Sequence, residues 1–265
     1  MVSPALGLLS NFMNKTILLF LLTLLCAPAW AESCPHSVKV AADVEVPVST
    51  YNTSQKDLIL WLPSEHGVVS AEYEIAGKLS SLGYEVWVAD LFSARFLPIS
   101  PSSLNAIPAS DVAQLIGSAS CGHANIFILS SGQGAALALE GAQLWLQQNP
   151  LRPVAGAILL FPNLHAGNPE AGEAPRYLPV ATQVNIPISV LQGALSPWYW
   201  QLDDLKTQLE RGGSKVAIKK LPGLRDRFYF REDALPRERQ AGQQLATAID
   251  DSIRSLLPLN PRKVP

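Results

Sequence analysis

The stretch Ile126-Phe-Ile-Leu-Ser-Ser-Gly-Gln-Gly-Ala-Ala-Leu-Ala-Leu139 contains three local patterns in succession. Its first four residues are large and apolar, which is typical of a buried strand. The next five include two serines and two glycines, whose small size permits a sharp turn. The alanines and leucines that follow favour a helix. The stretch therefore predicts a strand that passes through a tight turn directly into a helix.

Short apolar runs alternate with segments of helical periodicity from residue 57 onward. Such alternation is typical of an α/β fold, with a mostly parallel central sheet and helices on both faces. Residues 38–48 add one or two predicted edge strands. The predicted strands of the sheet are 58–62, 85–89, 125–129, 154–161, 188–192 and 216–221, and apolar stripes predict helices over 71–82, 202–209 and 241–256.

The turn Ser130-Ser131-Gly132-Gln133-Gly134 resembles the nucleophile elbow of the α/β-hydrolase superfamily, which has the form Gly-x-Ser-x-Gly. The resemblance covers about residues 57–257 and implies the α/β-hydrolase fold. It places Gly132 where the family has its nucleophilic serine, and glycine has no side chain that could attack a substrate. It also gives the backbone N–H of Gln133 the place of an oxyanion donor.

The other two positions of the family's catalytic triad carry unsuitable residues as well. The loop 193–197 has Ser196 where the resemblance implies the acid, and the loop 222–226 has Asp226 where it implies the histidine. No histidine follows His165, although a triad in the order serine, acid, histidine needs its imidazole near the C-terminus. We therefore expect a hydrolase fold without hydrolase activity, serving a binding or accessory role in the cell envelope.

An unorthodox active site is the alternative. Ser131, one residue before the family position, could act as nucleophile with His66 or His165 as its base and Asp226 orienting the histidine. The chain would then be a serine hydrolase or esterase that cleaves carboxylic esters.

Candidate ligand-binding residues lie in the loops that follow the predicted strands, because open α/β sheets bind ligands at the carboxyl ends of their strands. Several are aromatic residues or arginines, which are enriched at binding hot spots. The alternative is that the aromatic rings belong to the core and the charges form surface ion pairs. For an unknown small ligand or an envelope protein, the candidates are Glu65, His66, Gln133, Trp198, Arg225, Arg227 and Phe228.

Composition and motifs argue against several other classes of function. The 20 Lys and Arg against 22 Asp and Glu give a net charge of −2, so charge offers no reason to expect a nucleic-acid partner. The four histidines are not spaced as metal ligands, and neither a Gly-x-Gly-x-x-Gly motif nor a P-loop occurs. We therefore expect no metal and no cofactor.

The beginning of the chain has the pattern of a secretory signal peptide. The run 17–25 is apolar apart from Thr23, Lys15 precedes it, and Ala29 and Ala31 supply the small residues that signal peptidase requires. A membrane-spanning helix needs about twenty apolar residues, so a cleaved signal is favoured over an uncleaved anchor. We expect a periplasmic or secreted protein with no membrane span after the signal is removed.

The predicted signal peptide covers residues 1–31, and Met13 is an alternative start. We expect an N-terminal arm with edge strands over 32–56, the α/β-hydrolase-like domain over 57–258, and a short tail over 259–265. Cleavage after Ala31 would leave Cys34 and Cys121 as the cysteines of the exported protein. An oxidising compartment favours a disulfide between them, and two free thiols are the alternative.

The intact mass of the exported protein tests both expectations. Without reductant, we expect the mass of residues 32–265 less two hydrogen atoms, because the bridge removes one hydrogen from each thiol. Reduction should add the two hydrogens. A mass that includes residues 1–31, or one that reductant leaves unchanged, would contradict the cleavage or the disulfide respectively.

Overall fold

The computed structural model describes residues 37–51, 54–167 and 173–257. The predicted signal peptide, Cys34 and the predicted tail over 259–265 lie outside these residues. None of the helices in the described segments is long and apolar enough to cross a bilayer.

One eight-stranded sheet organises the described residues, with the strand order β1-β2-β4-β3-β5-β6-β7-β8. β1 pairs antiparallel with β2 and β2 antiparallel with β4, whereas every pair from β4 through β3 and on to β8 is parallel. The predicted mostly parallel sheet is therefore confirmed. The strands are β1 Ser37–Ala41, β2 Val44–Tyr51, β3 Asp57–Trp61, β4 Glu85–Ala89, β5 Asn125–Ser131, β6 Gly156–Leu160, β7 Ile188–Gly193 and β8 Val216–Leu221.

Eight α-helices connect and cover the strands within the described segments. They are α1 Ser70–Ser81, α2 Leu91–Ala94, α3 Pro101–Leu104, α4 Ala109–Ala119, α5 Gly134–Gln148, α6 Leu202–Arg211, α7 Pro236–Gln243 and α8 Leu245–Leu256. Two 3₁₀ helices, Pro179–Thr182 and Pro197–Gln201, lie in the loops after β6 and β7.

The central strands are apolar along their whole length because helices cover both faces of the sheet. On β3, Leu58 and Leu60 face the core shared with α4, α5 and α6, whereas Ile59 and Trp61 face the core shared with α1 and α8. All four are fully buried. Burying a large apolar side chain stabilises the folded state by about 1.5–3 kcal/mol, so this strand anchors both layers.

The prediction of one helix over 241–256 is wrong, because the structure has two helices that meet at Gln244. α7 ends at Gln243, and α8 begins at Leu245 after Gln244, whose φ of −96° and ψ of 1° leave the helical range. A Cβ on Gly242 would lie 3.4 Å from the Tyr229 Cα, so the last turn of α7 packs closely on the loop after β8. The apolar stripe continues across the break, which is why periodicity did not reveal it.

The predicted strand over 154–161 is also too long. β6 covers Gly156–Leu160 and ends where Phe161 takes the left-handed conformation, with φ of 48°. Because β6 ends early, the loop that follows it approaches the turn that follows β5. Residues of these two loops therefore meet at the carboxyl ends of the strands.

The contact between α4 and α5 gives a prediction about packing. A Cβ on Gly141 of α5 would lie 2.3 Å from Cγ1 of the buried Val112 on α4, so Gly141→Ala should overpack this contact and destabilise the fold by about 1–3 kcal/mol. Chemical denaturation measures the change.

Gly77 in α1 is the matched control, because a Cβ there would meet no atom within 4 Å. We expect Gly77→Ala to stabilise the protein by about 0.5–1 kcal/mol through helix propensity alone. Equal effects of the two substitutions would contradict the close α4–α5 contact.

Candidate functional site

The turn between β5 and α5 has the geometry of a nucleophile elbow. Gly132 adopts the left-handed conformation with φ of 56°, which is strained for a residue with a side chain. Gly134 allows close approach of the backbone, since a Cβ there would lie 2.2 Å from the carbonyl oxygen of Pro63. The sharp turn thus depends on glycine at both positions, and it aims position 132 at the space above the sheet.

The loop after β3 places Glu65 and His66 beside this elbow. Ser64 and Gly67 exchange two backbone hydrogen bonds of 3.3 and 3.0 Å, which closes a tight turn with Glu65 and His66 at its tip. The Ser64 hydroxyl also accepts a hydrogen bond of 3.1 Å from the backbone N–H of His66. These bonds fix the direction of both side chains.

The Glu65 carboxylate fills the place of a side chain at Gly132. A Cβ on Gly132 would lie 2.4 Å from Oε2 of Glu65 and 2.7 Å from its Oε1. Oε2 also accepts a hydrogen bond of 2.8 Å from the backbone N–H of Gln133. This N–H lies at the N-terminus of α5, where the helix dipole favours negative charge. A carboxylate of the chain itself therefore occupies the anion-binding position of the elbow.

Ser196 and Asp226, which stand at the other two positions of the family's catalytic triad, are hydrogen bonded to each other. Asp226 accepts a hydrogen bond of 2.7 Å from the Ser196 hydroxyl and one of 2.8 Å from the amide of Gln192. Burial raises the pKa of Asp226, and the two hydrogen bonds oppose that rise. The Ser196 hydroxyl in turn accepts from the backbone N–H of Trp198. The group holds the loops after β7 and β8 together.

Arg227 and His66 form a second contact at the rim. Nη1 of Arg227 lies 3.0 Å from Nε2 of His66, and a guanidinium can only donate, so this nitrogen of the imidazole accepts. Nε2 of His66 also lies 3.7 Å from the Glu65 carboxylate. Arg227 is exposed and adopts a left-handed φ of 60°. In the described residues, no carboxylate lies within ion-pair distance of its guanidinium.

Arg225 is engaged differently. Its guanidinium donates to the fully buried Glu238 with a distance of 2.7 Å from Nε to Oε1, and its Nη1 lies 2.8 Å from Asp233. These bonds lower the pKa of Glu238 to about 2 and raise that of Arg225. Arg225 therefore fixes α7 against the loop after β8.

Ser131 and His66 border the same cavity, but Ser131 has a different side chain as its hydrogen-bond neighbour. Its hydroxyl lies 3.5 Å from the Tyr229 hydroxyl, and within the described residues its side chain hydrogen bonds to neither His66 nor His165. The Tyr229 hydroxyl donates to the buried Glu72 over 2.9 Å. Burial raises the pKa of Tyr229 well above its ordinary value, so this phenol is a poor acceptor for a proton from serine.

His165 lies on the other side of the elbow, in an aromatic stack. Its ring centroid is 4.5 Å from that of Trp198 and 4.8 Å from that of Tyr177, and Nδ1 is 3.2 Å from the side-chain oxygen of Asn163. Burial lowers the pKa of His165. The ring therefore packs the loop after β6 against the one after β7.

An open cavity of about 470 Å³ lies above Gly132, and we call it the elbow cavity. Most of the predicted ligand-binding residues line it, although they come from three separate loops. They are Glu65, His66, Trp198, Arg225 and Arg227, and Asp226 joins them.

Two predicted ligand-binding side chains lie elsewhere. Phe228 is buried because it faces the core under the loop, and its ring centroid lies 5.6 Å from that of Phe161 in an edge-to-face contact. Phe230 lines the elbow cavity instead. The side chain of Gln133 lines a neighbouring cavity beside α3, while only its backbone N–H faces Glu65.

Within the described segments, no group of three His, Cys, Asp or Glu side chains could hold a metal ion. Cys121 is exposed, and its predicted disulfide partner lies outside the described residues.

Solved structures with the same fold include several hydrolases. A dienelactone hydrolase-like phosphotriesterase, P91, from metagenomic libraries has a TM-score of 0.57 and 13% identity, covering 82% of this chain and 96% of its own. A putative dienelactone hydrolase from Klebsiella pneumoniae has a TM-score of 0.56 and 14% identity, with coverage of 80% and 95%. Est1E from Butyrivibrio proteoclasticus has a TM-score of 0.56 and 10% identity, with coverage of 84% and 100%.

No model of a known protein family matches the chain, and no curated protein sequence is significantly similar to it. The structural likeness, together with the strand order, shows that the chain has the α/β-hydrolase fold. At 10–14% identity, the likeness establishes the fold alone.

Glu72 gives a prediction about pH. Burial raises its pKa in the folded protein to about 7, against about 4.3 in an unfolded chain. Folding therefore binds a proton between these values, and the stabilisation by protonated Glu72 is complete below about pH 4.3 and lost as the pH rises through 7. We expect Glu72→Gln to be more stable than the wild type at pH 8, by roughly 2–4 kcal/mol.

Thermal or denaturant unfolding at pH 5 and pH 8 measures this effect. Glu74→Gln is the matched control, because Glu74 is an exposed glutamate on the same helix. If wild type and Glu72→Gln lose stability in parallel over this range, Glu72 does not titrate as described.

Proposed function

We propose that this protein is an exported binding or accessory protein of the cell envelope, with an α/β-hydrolase fold that does not catalyse ester hydrolysis. One observation carries the proposal: the elbow presents Gly132, and the Glu65 carboxylate occupies both the space of a nucleophile and the N–H that would hold an oxyanion. A negative charge at this place opposes the negative charge that develops during acyl transfer.

The arrangement of Ser196 and Asp226 supports the same proposal. Triad catalysis needs a base that takes a proton and a carboxylate that orients it. In this chain Asp226 stands at the position of the base, and it accepts a hydrogen bond from Ser196, which stands at the position of the acid. That pair has no imidazole through which a proton could move.

The alternative with Ser131 as nucleophile has less support. The hydroxyl is almost fully buried, and its hydrogen-bond neighbour is Tyr229, not His66 or His165. The raised pKa of Tyr229 keeps its hydroxyl protonated, so the phenol cannot act as the base that takes a proton from the serine.

The elbow cavity supports a role in ligand binding. Its volume of about 470 Å³ lies within the usual range of small-molecule sites, and aromatic rings and charged groups face it together. Structures with the same fold include a putative dienelactone hydrolase and a putative esterase, and we propose that this chain has a small-molecule site that serves for binding. The signal peptide that the sequence predicts over residues 1–31 supports a site that operates outside the cytoplasm.

A fluorophosphonate probe and a p-nitrophenyl ester test the proposal. We expect no covalent labelling of the purified protein, because the elbow has no hydroxyl nucleophile with a base beside it. We also expect ester hydrolysis no faster than that of the Ser131→Ala variant. An active serine esterase in a parallel reaction confirms that probe and ester are competent.

Labelling that Ser131→Ala abolishes, together with hydrolysis at an ordinary enzymatic rate, would overturn the proposal. It would establish the esterase that uses Ser131.

A further inference from the structure

We infer that the elbow cavity binds a small monocarboxylate with an apolar body, and that Glu65 is a built-in competitor for the place of the ligand's carboxylate. The inference rests on the proposed binding function and names its ligand class. It follows from the groups that face the cavity from the loops after β3, β5, β6, β7 and β8.

The Glu65 side chain already demonstrates that a carboxylate fits the elbow. One of its oxygens accepts the Gln133 N–H, and the group lies directly over the Cβ-free surface of Gly132. The side chain reaches this place from a neighbouring loop and is 17% exposed, so it borders solvent. A ligand carboxylate could take the same hydrogen bond if Glu65 turned outward.

Arg227 supplies the charge for such a ligand. It lines the elbow cavity, and among the described residues its guanidinium has only the neutral acceptor nitrogen of His66 as a hydrogen-bond partner. The other arginines at the cavity, Arg225 and Arg231, both pair with Asp233. An arginine without a carboxylate partner beside a cavity is suited to bind an anion in a planar, two-point contact.

The charges in the cavity favour one negative charge over two. Glu65 and Asp226 also face it, and both repel an anion. One guanidinium and one backbone N–H match a carboxylate, whereas a phosphate dianion needs more donors to offset this repulsion. A monocarboxylate is therefore the ligand class that the site fits.

The apolar side chains of the elbow cavity determine which group can be attached to the ligand's carboxylate. Phe161, Trp198 and Phe230 line the cavity together with Leu195, which is 52% exposed. Apolar surface left open to solvent is stabilised when a ligand covers it. We therefore expect an aromatic or aliphatic body attached to the carboxylate.

Isothermal titration calorimetry with 3-phenylpropionate tests the inference, with 3-phenylpropanol and phenyl phosphate as comparisons. We expect the carboxylate to bind the wild-type protein about tenfold more tightly than the alcohol, and more tightly than the phosphate. Equal or tighter binding of the alcohol would overturn the carboxylate site, and tighter binding of the phosphate would overturn the ligand class.

Variants separate the two parts of the inference. Glu65→Ala removes the competing carboxylate and should tighten 3-phenylpropionate binding about tenfold, with Glu65→Gln between it and the wild type. Arg227→Gln should weaken binding about tenfold. Arg152→Gln is the matched control, because Arg152 is exposed and precedes β6, at the amino ends of the parallel strands and away from the cavity. This variant should bind 3-phenylpropionate like the wild type.

Unchanged affinity in Glu65→Ala would refute the competition, and unchanged affinity in Arg227→Gln would refute the role of this arginine. Absence of binding in both wild type and Glu65→Ala, with thermal unfolding intact, would refute the ligand class. None of these results bears on hydrolysis, which the fluorophosphonate experiment decides separately.

Discussion

The backbone turn at Gly132 is the constraint on which the rest of the site depends. A left-handed residue between β5 and α5, followed by a glycine against Pro63, reverses the chain within a few residues. The turn directs the N-terminus of α5 at the cavity and presents the backbone N–H of Gln133, which has no partner within the helix and binds the Glu65 carboxylate. The Glu65 side chain, from the loop after β3, binds that N–H. The loops after β7 and β8 complete the wall of the elbow cavity.

The carboxylates that face the elbow cavity are already hydrogen bonded within the protein. General base catalysis needs a group that can accept a proton at the moment of reaction. Here Asp226 is already hydrogen bonded to Ser196 and Gln192, and Glu65 to a backbone N–H. These static contacts stabilise loops. They leave Arg227 at the rim as the polar group with most freedom to meet a ligand.

The fold could be predicted from sequence because its signals are local. Strands buried on both faces are continuous apolar runs. The elbow is recognised by its small serine and glycine residues between an apolar strand and an Ala/Leu helix. The break at Gln244 and the early end of β6 could not be predicted, since they arise from packing on the loop after β8 and from the left-handed Phe161. The position of the Glu65 carboxylate over Gly132 could not be predicted either, because it depends on contact between two loops that are distant in sequence. Hydrophobic periodicity carries no information on such contacts.

The empty side-chain position at Gly132 has a consequence for substitutions there. A single mutation to serine would meet the strain of a left-handed backbone and the Glu65 carboxylate at once, and it would still face an aspartate where a base belongs. Serine at this position is therefore expected to lower stability without gaining a base beside it. The backbone conformation and the neighbouring carboxylate together favour glycine at position 132.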